Sequence, residues 1–316
     1  MSVYVVVTMA LVFGFINGFH DSANAVATAV ATKVISARAA IYMAAVLNVL
    51  GALVSTGVAR TIVRGIVDPT ALWPGVLIAG LTGAIVWNLI TWFAGIPSSS
   101  SHALVGGLAG AALAAQGLGG INPGGLGTIV AGLFLSPLAG LAVGYAVMLL
   151  TGLVKVNPKL QIASAAAVAF SHGSNDAQKS MGVIAASLLV EGLIPRLVIP
   201  WWVVLVAALS MGLGTATGGR RIIKTMGGKI ARLTPEDGFA AETAAAVVVG
   251  AATFLMLPVS TTHVVSSAIT AVGMRKGLGA VNWAVVRQIG WAMLLTLPAS
   301  GAVGAAAAWV IWLLFG

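Results

Sequence analysis

Runs of about 20 apolar residues recur along this chain from its first segment to its last, and that is the length a helix needs to cross a bilayer. The expected fold is therefore an all-α polytopic membrane protein. Composition points the same way. Of 316 residues, 59% are hydrophobic and 7% charged, and mean hydropathy is +1.05. Globular domains carry about 25% charged residues, so a water-facing surface could not be covered, and a soluble globule is excluded.

The net charge of +9 is not a nucleic-acid footprint in such a chain, because an excess of Lys and Arg marks cytoplasmic loops. Lipid is the expected surroundings, and no nucleic-acid partner is expected. The absence of cysteine excludes disulfides and thiolate metal sites. The opening MSVYVVVTMALVFGF has no basic start and no small-residue cleavage site, so it reads as a retained first span.

That first segment, about Val3 to Val34, contains a stripe that lipid cannot tolerate. In NGFHDSANAVAT, residues Asn17, Asp21, Asn24 and Thr28 are spaced four, three and four apart, which places them on one helix face. The motif at the middle of so long a segment predicts a broken or tilted helix. The design returns in FSHGSNDAQKSMGVI, where His172, Asp176 and Lys179 hold the same leading positions 155 residues later. A second segment is expected over Ala39–Ala59, a third over Pro74–Phe93 and a fifth over Gly125–Leu150. Between the last two, Pro97 and four serines precede His102. Proline in a first turn with serine caps predicts a helix start in mid-membrane.

The second half repeats the first. Gly51, Thr56, Gly57 and Arg60 match Gly212, Thr217, Gly218 and Arg221 at a separation of 161, as do Pro97, Ser99 and His102 with Pro258, Ser260 and His263. Six extra residues around Glu191 to Pro195 absorb the difference. A register held this long is a strong repeat signal. It divides the chain into residues 1–154 and 155–316, each with about five membrane segments and with broken or hairpin-like helices at the midplane.

If each half crosses five times, counting the serine-histidine piece, and the N-terminus is outside, then Lys33, Arg38, Lys155, Lys159, Arg220, Arg221, Lys224, Lys229, Arg232, Arg275 and Lys276 face the cytoplasm. Only Arg60, Arg64 and Arg196 lie outside. That split obeys the positive-inside tendency. It makes the second repeat inverted, the basic loop 219–237 cytoplasmic and both termini extracellular. If the serine-histidine pieces only dip in and return, Lys155 and Lys159 move outside relative to Lys33.

All four histidines, His20, His102, His172 and His263, lie in these motifs, and of the seven carboxylates only Asp21 and Asp176 are expected deep within spans. An intramembrane carboxylate costs several kcal/mol unless paired or hydrated, so two at matching positions mark a path or site rather than a pair of buried caps. A lone intramembrane His is as often a satisfied interhelical hydrogen bonder, and the serines and threonines could simply cap a broken helix. Their placement after Pro and before His, twice, favours a functional terminus. A helix start carries unpaired N–H groups and partial positive charge, so added hydroxyls suit it to an oxyanion. Two inverted repeats would bring two such termini together, as in secondary transporters. Asp21 and Asp176 then serve as carriers of a coupling cation. Lys179 contacts the anion or pairs with Asp176 one turn away.

NGFHDSANAVAT and SHGSNDAQKSMG, each followed by a Pro-x-Ser-[Ser/Thr]-[Ser/Thr]-His block, resemble the inorganic phosphate transporter (PiT) family. The resemblance covers both halves and implies a phosphate symporter of the cytoplasmic membrane working by alternating access, dimeric and not an enzyme. The signature positions that carry over are Asn17, Asp21, Asn24, Asn175, Asp176 and the two Ser/Thr-His blocks. His-Asp in the first motif, where sodium-coupled relatives read Asn-Asp, resembles the bacterial low-affinity, proton-linked branch, thought to take phosphate partly as a neutral divalent-metal complex. The chain lacks a long central insertion and has four serines in place of Ser-Thr-Thr.

The expected substrate site is Asn17, Asn24, Ser99, Ser100, Ser101, His102, Lys179, Ser260, Thr261, Thr262 and His263. Asp21 and Asp176 take the coupling ion, a proton or sodium, with His20 and Asn175 tuning them, and no cofactor is expected. A cytoplasmic accessory regulator is a candidate partner. The rival readings are a sulfate permease of the same fold, an intramembrane dinuclear metalloenzyme built from four His and two Asp, and a passive channel.

Overall fold

The computed structural model describes residues 2–66, 72–153, 157–218 and 220–315. Asp68 and Lys155 lie outside the described residues, as do the side chains of Arg64, Arg220 and Arg221. Among the described residues there are twelve α-helices and no strand. The first six are α1 (Ser2–Ala31), α2 (Ala37–Ala52), α3 (Gly57–Ile66), α4 (Pro74–Ala94), α5 (Ser100–Gln116) and α6 (Pro123–Thr151). The second six are α7 (Leu160–Val190), α8 (Trp201–Thr217), α9 (Arg220–Gly228), α10 (Pro235–Phe254), α11 (Thr261–Gly273) and α12 (Trp283–Phe315). Both sets run in one order: a long helix, a bent pair, a two-helix hairpin and a long helix.

Polarity is arranged for lipid. Tyr42, Leu135, Leu213, Trp291 and Trp309 are exposed while Asp21, Asp176, Lys179 and all four histidines are buried. An apolar shell this continuous is stable only against hydrocarbon.

The first helix is not broken. α1 runs unbroken through the polar motif, because side chains with partners on neighbouring helices do not interrupt its backbone bonding. The break falls instead in the expected second segment, where α2 and the start of α3 meet at 74°. The matching bend in the second half, between α8 and α9, is 75°. The stretch 219–237 is likewise no simple loop, since it contains α9 and the capped start of α10. There Thr234 and Asp237 bond each other's backbone N–H groups in a capping box.

Each hairpin returns to the end it came from. Gly80 of α4 packs against Leu108 and Gly107 of α5, so the two helices are antiparallel. Arg275 and Lys276, just past α11, pair with Asp237 in the first turn of α10, which makes that pair antiparallel too. Both turns use a residue in the left-handed region that closes a helix, Gly95 (φ 66) and Met256 (φ 58). The first antiparallel pair fits a path that counts the serine-histidine piece as a crossing, since Pro74–Ala94 and Ser100–Gly120 are each long and apolar enough to cross. Lys33, Arg38 and Lys159 lie at one end, where Thr32 at the close of α1 meets Gln161 at the start of α7. The same end holds the Ala31–Gly227 and Ile230–Asn282 contacts, while Ser2 bonds Glu191 at the other.

α1 and α7 are antiparallel neighbours, with Gly14 facing Ser180 and Thr32 bonded to Gln161 at 2.7 Å. Each also packs on the second helix of the other half through glycines. Gly18 meets the Met211 carbonyl and Gly173 the Asn48 carbonyl, while Gly51 meets the Phe170 carbonyl and Gly214 that of Phe15. In packing, the counterpart of Gly51 is thus Gly214 rather than Gly212, which faces the Val49 side chain instead. Backbone-to-backbone approach needs the residue without a Cβ, and that requirement moves the register by two.

Gly173→Ala should force α2 and α7 apart and cost about 1–3 kcal/mol, whereas Gly119→Ala, which meets open space, should cost nothing. Thermal unfolding in detergent, read by fluorescence-detected size exclusion, compares them. Equal midpoints would contradict the close-packed helix pair.

Candidate functional site

The two hairpin tips converge on the middle of α1 and α7. Pro97 and Pro258 keep the tips extended, and Ser99 and Ser260 then cap the new helices. Ser99 Oγ accepts from the N–H of His102 at 3.2 Å, and Ser260 Oγ from that of His263 at 3.3 Å. The first turns of α5 and α11 thus start deep inside the protein, with their partial positive charge aimed at the motif carboxylates.

Asp21 is held by neutral groups. Its Oδ2 accepts from Ser100 Oγ at 2.8 Å and its Oδ1 from Thr262 Oγ1 at 3.3 Å, so both hairpins reach it. His20 Nδ1 lies 2.9 Å from Oδ1. Asn24 Nδ2 donates to Thr262 Oγ1 at 2.9 Å, which fixes that hydroxyl. His20 Nε2 is placed by Thr91 Oγ1 at 3.1 Å, itself 2.8 Å from Ser98 Oγ.

Asp176 has the matching hydroxyl and one full charge. Thr261 Oγ1 donates to Oδ1 at 3.0 Å, while Lys179 Nζ donates to Oδ2 at 2.6 Å and His172 Nε2 lies 3.3 Å from the same oxygen. Asn175, at the position of His20, donates to Thr253 Oγ1 at 3.0 Å and the Leu257 carbonyl at 3.2 Å. It supports the hairpin tip rather than touching the carboxylate. One ligand atom each of Asp21, Asp176 and His172 lies within 4.8 Å of the others, so the halves share one centre.

The remaining expected residues divide. Ser101 Oγ donates to the Val259 carbonyl at 2.8 Å and ties one tip to the other. The His102 and His263 rings meet edge to face at 4.9 Å between centroids, and their four nitrogens have no hydrogen-bond partner among the described residues. Both amide atoms of Asn17 are likewise buried and have no partner among the described residues. Ser99 and Ser260 spend their hydroxyls on caps, and the Ser260 N–H donates to Ser136 Oγ at 3.4 Å.

Similarity to known proteins decides the family. The profile of the phosphate transporter family matches residues 17–159 and 154–304. The chain belongs to that family. It is 46% identical to the "Probable low-affinity inorganic phosphate transporter" of Bacillus subtilis (strain 168), over 98% of this chain and 97% of that protein. It is 41% identical to the protein of the same name from Rhizobium meliloti (strain 1021), over 95% and 93%. Among solved structures it is similar to "The sodium-dependent phosphate transporter", with a TM-score of 0.91, 28% identity, and coverage of 99% and 100%.

For a member of the phosphate transporter family, not an enzyme, the histidines are placed consistently. Four His and two Asp do not assemble into a dinuclear set. His172 joins the carboxylates, His20 flanks Asp21, and His102 and His263 stack on each other. In this family member, sequence reasoning passed over Thr91, Ser98, Thr253 and Asn48. Asn48 Oδ1 holds His172 Nδ1 at 3.1 Å while its Nδ2 donates to Thr215 at 2.9 Å. The signal available for it was its standing as the one amide inside the apolar second segment.

Glu242 was also missed. It is 1% exposed inside α10, so Asp21 and Asp176 are not the only carboxylates deep within a span. It accepts from Thr28 at the end of the α1 stripe, from Ser164 at 2.5 Å and from Gln161 at 3.3 Å. Among the described residues no Lys or Arg pairs with it. The transporter's counterpart position in the first half is Leu81, also buried. Glu242→Leu should strand three buried donors at about 1–3 kcal/mol apiece, while Glu242→Gln keeps acceptors for two of them. Melting in detergent should therefore rank wild type above the Gln variant and the Gln variant above the Leu variant. A Leu variant as stable as wild type would contradict the network.

Proposed function

We propose that the chain is a symporter that moves inorganic phosphate with a coupling cation, by alternating access, across the cytoplasmic membrane. The observation that carries this reading is the convergence of two hydroxyl-lined helix starts on two buried carboxylates. The names of its relatives supply the substrate. Backbone N–H groups at Ser99–Ser101, Thr261 and Thr262, with the hydroxyls of Ser100, Thr261 and Thr262, are a set of neutral donors suited to a tetrahedral oxyanion. Asn17, Asn24, His102 and His263 surround that place and bring unpaired polar atoms to it.

The carboxylates and the anion compete for the same hydroxyls. Ionised Asp21 takes Ser100 and Thr262 and repels phosphate. A proton or a sodium ion on Asp21 removes the repulsion and frees those donors, which couples the two cargoes. His20 holds the carboxylate in place from the side of Thr91 and Ser98 in the first hairpin. Phosphate travels free or as a neutral complex with a divalent metal.

The site residues are 3% exposed or less, so entry and exit need movement, and the bends between α2 and α3 and between α8 and α9 supply hinges beside the hairpins. The two halves act as inverted repeats, residues 1–154 and 155–316, which the antiparallel α1 and α7 support. Gathering Lys33, Arg38, Lys229, Arg232, Arg275 and Lys276 at one end favours that end as cytoplasmic and the termini as extracellular.

In proteoliposomes, inward pH and sodium gradients imposed separately should identify one cation that accelerates labelled phosphate uptake above its equilibrium level. Asp21→Asn and Asp176→Asn should each abolish that accumulation, and excess sulfate should leave wild-type uptake intact. Normal accumulation by both variants would sink the coupling mechanism, and full competition by sulfate would reassign the substrate.

A further inference from the structure

The two halves match in geometry but not in charge. Ser100 donates to Asp21 as Thr261 does to Asp176, and these donors stand at equivalent places on their hairpins. His20 and Asn175 each lean on a threonine of the adjacent hairpin, Thr91 and Thr253. Each carboxylate has one histidine beside it, His20 at 2.9 Å and His172 at 3.3 Å, and the difference in Lys and Arg falls three residues after each Asp. Asn24 is neutral and reaches past Asp21 to Thr262. Lys179, 1% exposed, turns its ammonium onto Asp176 at 2.6 Å. Among the described residues, no Lys or Arg pairs with Asp21.

A carboxylate taken out of water needs a compensating positive charge or a proton, because leaving it bare costs several kcal/mol. Asp176 has its compensation covalently attached to the same helix. Asp21 has the His20 imidazole beside it at 2.9 Å but, among the described residues, no lysine or arginine. We propose that the Lys179 ammonium is a tethered counter-ion holding the cation place of the second half, so that Asp21 alone takes the mobile coupling cation. This rests on the symport reading above and adds to it a stoichiometry and the residue that sets it.

The tether also separates two roles open to Lys179. A lysine that binds the anion has to leave Asp176 when phosphate arrives, and its loss weakens phosphate binding. A lysine that replaces a cation stays on Asp176 throughout the cycle, and its loss creates a second place for a mobile ion. Asparagine at this position reproduces the Asn24 arrangement of the first half, with a neutral amide one turn from the carboxylate.

The test measures initial phosphate uptake in proteoliposomes as a function of the concentration of the driving cation, with phosphate saturating. Wild type should respond with a Hill slope near one, and Lys179→Asn should steepen it toward about two, the number of cation sites then available. A reversal-potential measurement on the wild type, which needs no variant, should independently return one cation per phosphate. A wild-type slope and reversal potential corresponding to two cations would overturn the proposal even if the variant fails to fold. So would a variant whose slope is unchanged while its KM for phosphate rises, which assigns the ammonium to the anion. Wild-type uptake that no cation gradient accelerates would instead overturn the symport reading beneath it.

Discussion

Charge in a low-dielectric interior has to be compensated, and the centre of this protein is organised around two carboxylates that cannot remain bare. The idealised cost of moving such a group from water to hydrocarbon is of order 20 kcal/mol, and the effective cost is still several kcal/mol. Hydroxyls from both hairpins, the N-terminal turns of α5 and α11, a histidine beside Asp21 and a lysine on Asp176 meet that demand. Each contributor needs its own support. Thr91 and Ser98 place His20, Asn24 fixes Thr262, and Asn48 orients His172. The same donors that stabilise the carboxylates are those an oxyanion would use. Competition for them is a direct physical route from cation binding to anion binding.

Bringing those groups together demands close packing of the helices that carry them. Gly18, Gly51, Gly173 and Gly214 let α1 and α7 press on α8 and α2 backbone to backbone, which sets the spacing of the two motifs. The hairpins are anchored separately. Ser136 supplies one anchor: it donates to the Leu133 carbonyl at 2.7 Å, the acceptor left without an N–H by Pro137. Its oxygen also receives the N–H of Ser260 at 3.4 Å. A proline in the middle of α6 thus helps hold the cap of α11. Pro298 sits at the corresponding place in α12.

Much of this was legible in the sequence, and the omissions have physical causes. Hydropathy located the long helices, because apolar length is a local property. The Pro-Ser-His blocks located the hairpin tips, because proline and serine act on the backbone beside them. The unbroken α1 was not legible, since polar residues interrupt a transmembrane helix only when they lack partners, and those partners come from α4, α5 and α11. Glu242 was hidden for a similar reason. It follows Glu236 and Asp237 in an acidic helix start, and its partners Thr28, Gln161 and Ser164 lie far away in sequence. Lys179 stood out at once, and its 2.6 Å contact with Asp176 is a structural fact that the sequence offered only as one of two pairings.

The central claim is that the two hairpin tips form one phosphate site open in turn to each side of the membrane. With no native cysteine, Ser99→Cys and Ser260→Cys are single reporters against a silent background. Labelling each in oriented vesicles with a membrane-impermeant thiol reagent, applied from either side with and without phosphate, tests the claim most directly. Both cysteines should be reachable from either side, according to which side faces the substrate gradient, and phosphate should protect both while sulfate does not. Reaction of each from a single side only, or labelling indifferent to phosphate, would contradict a shared and alternately exposed site.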